Sequence, residues 1–212
     1  MARQPRAVRT RALLIHCAAT EFDRAGYEAA TLSAVNALAE VSMGAMTFHF
    51  RNKAALADAV QSRGGDLVRD AVAEVLARPR PALAAGVALT VALTRLLEEN
   101  VEVRAAARLA RERSPSTWGA DWLPALGDLF RRAGDEYGLR PGSDPAVLAR
   151  LAGHLVTGME MQLREARTRP PAAPDEDPGT EPGPVPQLAE IWRLVLRGVT
   201  DKDPDEYEQD LT

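Results

Sequence analysis

The 212-residue sequence is short of the residue types on which catalysis and covalent cross-linking depend. Its one cysteine, Cys17, excludes an internal disulfide and fits a reducing compartment. That cysteine falls on the apolar side of a helical pattern, which makes it a packing residue rather than a nucleophile. Histidine occurs three times, at His16, His49 and His154, far apart along the chain. There is no Gly-rich phosphate loop, no Cys-x-x-Cys pair, no His-Glu-x-x-His and no nucleophile elbow. An enzyme is therefore not expected, an all-α enzyme with a chance triad or metal site being the distant alternative, and neither cofactor nor metal is predicted. No apolar run is long enough to cross a membrane and no signal-peptide layout is present. The expectation is a soluble, cytoplasmic protein with no membrane partner.

What is present is helix. Alternating polarity is rare and breaks fall at Pro and Gly, so the predicted fold class is all-α. With 46% hydrophobic residues the chain can form a small head and a larger core-forming body. The net charge is −4, but residues 1–53 carry seven basic side chains (Arg3, Arg6, Arg9, Arg11, Arg24, Arg51 and Lys53) against four acidic ones. A basic front joined to an acidic body turns the front toward a polyanion. A merely solubilising arm is the plainer reading of the same charges.

The segment Thr31 to Leu56 names the polyanion. Leu32, Val35 and Ala39 share one helical face, Val41 plugs a turn, and Met46 and His49 lie three apart on a second short helix. This is helix-turn-helix spacing, the plainer reading being one of the short helix pairs that any all-helical protein contains. Thr31 and Ser42 are placed to cap the two helices, and Gly44 and Ala45 are small enough for close approach to a phosphate or another backbone. The second helix of such a motif enters the DNA major groove, so Ser42, Met43, Ala45, Thr47 and His49 are expected to face bases or phosphates. Lys53, at the start of the next helix, is expected to meet a phosphate. Arg9, Thr31, Ser33 and Gly44 complete the predicted DNA-binding set. Glu40 stands in the turn, where a positive φ would strain it.

Beyond Lys53 the spacing predicts a helix with a weak point at Gly64-Gly65, then helices from Pro81 to about Asn100, up to Ser114-Pro115, over Asp121 to Tyr137, and from Asp144 to about Arg167. Residues 168–186 hold seven of the 15 prolines and read as an extended or disordered loop. A last helix spans Gln187 to Val199, and residues 201–212 read as a solvated acidic tail. Domains are predicted at 1–53 (DNA binding) and 54–200 (ligand binding and dimerisation). Leu151, Leu155 and Met159 on one helix, with Leu188, Ile191, Trp192 and Val195 on the other, form apolar stripes suited to a four-helix interface in a homodimer. The alternative is that both stripes fill the monomer's own core. Trp118 and Trp122 mark the aromatic-rich part of a chain with 5% aromatics and could wall a pocket or simply serve as core.

The run GAMTFHFRNKAAL, following Val41-Ser42, resembles the recognition-helix signature of the TetR family of repressors, and RTRALLIHCAATEFDRAGYEAATL resembles that family's first helix. Three positions depart from the family pattern: Met43 stands where lysine is usual, Thr47 where tyrosine is usual and Glu40 where a turn glycine is frequent. Further on, RAAARLARERS, DWLPALGDLFRRAGDEYGLRP, LARLAGHLVTGMEMQ and PQLAEIWRLVLRGV resemble the γ-butyrolactone receptor branch of the family. The resemblance implies a repressor of a pseudo-palindromic DNA operator, released by a small-molecule inducer such as a γ-butyrolactone, furan or antibiotic, with Trp122 against the signal. Helix faces suggest Leu89, Leu93, Phe130, His154, Thr157 and Met161 as further pocket residues. The alternatives are a pseudo-receptor of the same family and a ligand-binding scaffold with weakened DNA binding.

Overall fold

The computed structural model describes residues 3–113, 118–136, 138–168 and 182–211. Among them every regular element is helical. In order these are α1 (Arg3–Ala29), α2 (Leu32–Ala39), α3 (Met43–His49), α4 (Lys53–Ala77), α5 (Ala82–Glu99), α6 (Val101–Arg113), α7 (Leu123–Asp135), α8 (Pro145–Thr168), α9 (Pro184–Val199) and α10 (Glu208–Leu211). Short 3-10 turns cover Gly119–Asp121 and Pro204–Tyr207. No helix among the described residues is long and apolar enough to cross a membrane.

The chain divides into two compact units, Met1–Val68 with Asn100–Ala120, and Arg69–Glu99 with Asp121–Thr212. The division falls inside α4. The first unit closes around Leu14, Ala18 and Phe22 of α1, Val35 and Ala39 of α2, Met46 of α3, and Leu56 and Val60 of α4. Ala105 and Leu109 of α6 complete this core, so α6 packs within the first unit although it lies in the 54–200 segment. Small alanines on α6 and the i, i+4, i+8 stripe on α1 let the two helices lie close together. Gly64 is part of that closeness. A Cβ there would stand 2.4 Å from Ala106 Cβ and 2.7 Å from the Glu102 carbonyl oxygen. The expected weak point in α4 is therefore an uninterrupted stretch whose glycine admits a neighbouring helix.

In the second unit α5 is the central element, buried over most of its circumference from Ala82 to Leu97, with α7, α8 and α9 packed around it. α9 begins at Pro184, three residues before the expected start, because proline suits the first turn of a helix, where the amide it lacks has no partner to make. The rest of the predicted loop, residues 169–181, lies outside the described residues, as do Tyr137 and Ser114-Pro115. The end of the chain differs from the solvated tail expected of its acidic composition. Tyr207 and Leu211 are buried, and Asp210 pairs with Arg80 at the α4–α5 turn. Two apolar side chains in an acidic stretch are enough to dock it.

Candidate nucleic-acid interface

The α2-turn-α3 geometry follows from its capping residues. Thr31 Oγ1 accepts the Ala34 amide at 3.1 Å, and Ser42 Oγ accepts the Ala45 amide at 3.2 Å. Between them Glu40 adopts the left-handed conformation (φ 53°, ψ 36°), and its amide donates to the Asn36 carbonyl. A non-glycine residue in this region carries about 1–2 kcal/mol of strain. The turn is nonetheless fixed from both sides, since Val41 also donates to Asn36 O at 3.3 Å.

Met46 is fully buried and anchors α3 to the core, so the opposite side of this seven-residue helix is offered to solvent. Ser42, Met43, Gly44 and Thr47 are exposed there, while Ala45 and His49 are half-buried at its edge. Thr47 Oγ1 turns back to donate to the carbonyls of Met43 (3.0 Å) and Gly44 (3.2 Å). The Met43 sulfur accepts Asn36 Nδ2 at 3.2 Å, tying α3 to α2. Thr31 and Ser33 are exposed at the start of α2, and Arg9 is exposed on α1. An open groove runs between α1 and α3, lined by Arg6, Ala7, Thr10, Gly44, Ala45, Phe48 and His49. Phe48, absent from the predicted set, is 80% exposed. Its signal in the sequence was its position two residues from Met46, which places it away from the buried side.

Lys53 requires a correction. Its ammonium donates to the carbonyls of Tyr27 (2.8 Å), Glu28 (3.1 Å) and Ala30 (3.2 Å) and sits 4.7 Å from the centre of the Tyr27 ring. An ammonium has three protons, and all three are engaged. The predicted phosphate contact is thus replaced by a clamp on the end of α1. Asn52 Oδ1 likewise accepts the Ala55 amide at 2.8 Å, which occupies part of the α4 N-terminus. Arg51, immediately before it, is exposed and was also missed.

The end of α1 is held a second time, from α6. Gly26 breaks the helix with φ 79° and ψ 173°. Arg108 Nη1 donates to the Asp23 carbonyl at 2.7 Å and to that of Arg24 at 3.3 Å, while its Nε pairs with Glu112 at 2.8 Å. Glu112 in turn accepts the Tyr27 amide at 2.5 Å. Partial burial pushes the Glu112 carboxyl up, but its bonds from Arg108 and Tyr27 prevail and hold it below the usual carboxylate range. Arg104 pairs with Asp23 at 2.8 Å, and His16 lies 2.9 Å from Glu102. Carbonyls left over at a helix end are met by cations on neighbouring helices.

In the second unit the predicted pocket residues divide. Leu89 and Leu93 of α5, Trp122 at the N-cap of α7 and Phe130 on the inner side of that helix are all fully buried. Phe130 stacks on Trp192 of α9 at 6.0 Å, and the indole Nε1 of Trp192 donates to Thr90 Oγ1 at 2.8 Å. Trp192 and Leu188, predicted at a dimer interface, are therefore interior residues, as is Met159. Conversely His154, Thr157 and Met161, predicted to line the pocket, lie on the exposed side of α8. Leu151, Leu155, Ile191 and Val195 are half-buried, and beside them Val147 and Leu194 are exposed, Leu194 by 71%. Both helices are apolar on two sides, and the pattern alone did not say which side turns inward. Trp118 is half-buried and belongs to the first unit.

Residues 14–60 match the family model described as bacterial regulatory proteins, tetR family. The A-factor receptor protein of Streptomyces griseus is 30% identical over 203 residues, a span of 94% of this chain and 67% of that protein. A crystal structure of a gamma-butyrolactone receptor described as ArpA-like superposes with a TM-score of 0.77 at 26% identity, covering 97% of this chain and 96% of that one. CprB of Streptomyces coelicolor, solved in complex with its biological operator sequence, gives a TM-score of 0.76 at 29% identity over the same shares of the two chains.

Proposed function

Because this chain belongs to the TetR family of bacterial regulatory proteins, in the branch of the γ-butyrolactone receptors, we propose that it is a homodimeric, ligand-released repressor of a pseudo-palindromic DNA operator. The observation that carries the reading is α3: a capped helix anchored by Met46, with its outer side free beside an arginine-bearing α1. In this reading α3 enters the major groove, with Ser42, Met43, Gly44, Ala45, Thr47 and His49 near bases. Arg9, Thr31, Ser33 and the exposed Arg51 meet the backbone. The protein works in the cytoplasm, on DNA, and carries out no catalysis. The similarity to CprB, solved on its operator, supports the DNA partner.

The second unit supplies the switch. A γ-butyrolactone, furan or antibiotic-like inducer is held in its interior by Trp122, Leu89, Leu93 and Phe130. Thr90 and Thr94, buried on α5, are polar groups within this apolar interior. The partner subunit packs on the outer sides of α8 and α9, along Val147, Leu151, His154, Met161, Ile191 and Leu194. These residues fall at three-, four- and seven-residue spacing, as one side of a helix in a four-helix interface requires. Inducer lowers operator affinity by favouring a spacing of the two reading heads that no longer matches successive major grooves. Moving operator occupancy from about 99% to about 1% requires a differential affinity of about 5.5 kcal/mol, shared between the two sites of a dimer.

A second reading is favoured by one observation. α3 carries no lysine or arginine and Lys53 is engaged internally, so a ligand-binding scaffold with weakened DNA binding is the alternative. A mobility-shift titration with DNA from upstream of the protein's own coding region separates the two. The repressor reading expects retardation at low salt, reversed by a γ-butyrolactone and no longer reversed in Trp122→Ala. Absence of retardation by this DNA or by genomic fragments would favour the scaffold.

A further inference from the structure

We propose that α3 reads its operator through thymine methyl groups, with Met43 and Phe48 as the contacting side chains, an inference that rests on the DNA-binding reading above. The argument is one of chemical inventory. Sequence-reading hydrogen bonds in the major groove come from arginine or lysine to guanine, asparagine or glutamine to adenine, and carboxylates to cytosine. The sequence of α3, MGAMTFH, contains none of these. Its hydroxyls are partly committed as well: Ser42 Oγ accepts the Ala45 amide, and the Thr47 hydroxyl donates to backbone carbonyls. His49 is half-buried, with the Phe48 and Phe50 rings 5.1 Å and 6.5 Å from its own.

What α3 does present is apolar. Met43 is 49% exposed and Phe48 80% exposed, and at 3.6 residues per turn they lie about 140° apart, with Thr47 and Gly44 between them. That arc is the whole outer side of the helix. The apolar feature that base pairs offer in the major groove is the C5 methyl of thymine. Asn36 holds the Met43 sulfur at 3.2 Å, so the methionine methyl is presented from a fixed sulfur rather than from a freely rotating chain. Asn36 is thus a positioning residue for the reading side chain.

The test uses the full-length protein and a site enriched from a random DNA pool. Each thymine is replaced in turn by deoxyuridine, which removes the methyl and leaves every hydrogen-bonding group in place. Affinity is followed by fluorescence anisotropy. At the contacted positions the expected loss is about fourfold per methyl and about fifteenfold for a symmetric pair, from about 0.8 kcal/mol per buried carbon. In Phe48→Ala or Met43→Ala the thymine-to-deoxyuridine difference at the corresponding position is expected to vanish, with the salt dependence unchanged because no phosphate contact is touched. Both side chains lie outside the core, and a thermal melt of each variant matching the wild type verifies the fold. Equal binding of deoxyuridine and thymine sites at every position overturns the proposal while leaving DNA binding intact. Deoxyuridine losses that persist undiminished in both variants overturn it too. Failure to enrich any site overturns both this proposal and the reading on which it rests.

Discussion

Replacing Gly26 with alanine strikes the kink inside α1, a few residues ahead of α2 and α3. At φ 79° and ψ 173° the residue occupies a region that side-chain-bearing residues avoid, which contributes about 1–3 kcal/mol of strain on substitution. An added Cβ would stand 2.6 Å from Arg108 Nη2 and 2.7 Å from Glu112 Oε1. Those atoms cannot simply swing away, because Arg108 holds two α1 carbonyls and Glu112 holds the Tyr27 amide. Displacing one charge-assisted hydrogen bond adds about 1.5–3 kcal/mol. The sum is about 2.5–6 kcal/mol, which corresponds to about 5–24 °C in Tm for a chain of this size. Urea unfolding followed by far-UV circular dichroism measures it. Repeating the substitution in an Arg108→Ala background should recover part of the loss, since the obstructing side chain is gone. A cost below about 1 kcal/mol, or the same cost in both backgrounds, would refute the argument.

Glu40→Gly relieves the positive φ in the turn and is expected to stabilise the protein by about 0.5–1 kcal/mol in the same unfolding assay. Lys53→Met removes donors from three carbonyls at the end of α1; thermal stability and operator affinity should both fall, while the log-log salt slope stays constant. A phosphate contact would instead take about 0.9 from that slope, so its loss would restore Lys53 to the DNA interface. The Glu112 carboxyl is held below its usual range, so the stability it provides is present above the unfolded value near about 4.3 and is lost as pH falls through the folded value beneath it. Thermal melts should show this acid-side loss in the wild type and less of it in Glu112→Gln. Leu194→Asp places a charge on the exposed outer side of α9 and is expected to yield monomers by analytical ultracentrifugation with far-UV dichroism unchanged; persistence of the dimer would move the interface elsewhere.

The reading head was largely legible because its signals are local. Thr31 and Ser42 cap as their residue types suggest, and Glu40 takes the positive φ expected to strain it in the turn. Lys53 was misread because its partners are carbonyls 23 to 26 residues away, beyond the reach of any local pattern. The body was legible as helices and less so as surfaces. Trp192 and Leu194 are two residues apart on α9, yet one is buried against Phe130 and the other is open. Apolar periodicity locates a stripe, but when a helix carries apolar residues on two sides only the packing partners tell inside from outside. The docking of Tyr207 and Leu211 was hidden for a related reason, since the acidic residues around them dominate the composition of that segment.

The central claim is that occupancy of the second unit controls the DNA affinity of the first. Anisotropy titration of a selected operator, with and without a saturating γ-butyrolactone, tests it most directly. The account predicts saturable binding by two subunits per site, weakened by at least an order of magnitude when the lactone is present and restored when it is diluted away. Operator affinity unchanged by every lactone, furan and antibiotic tried, with binding of those same compounds to the protein detected by tryptophan fluorescence, would contradict it.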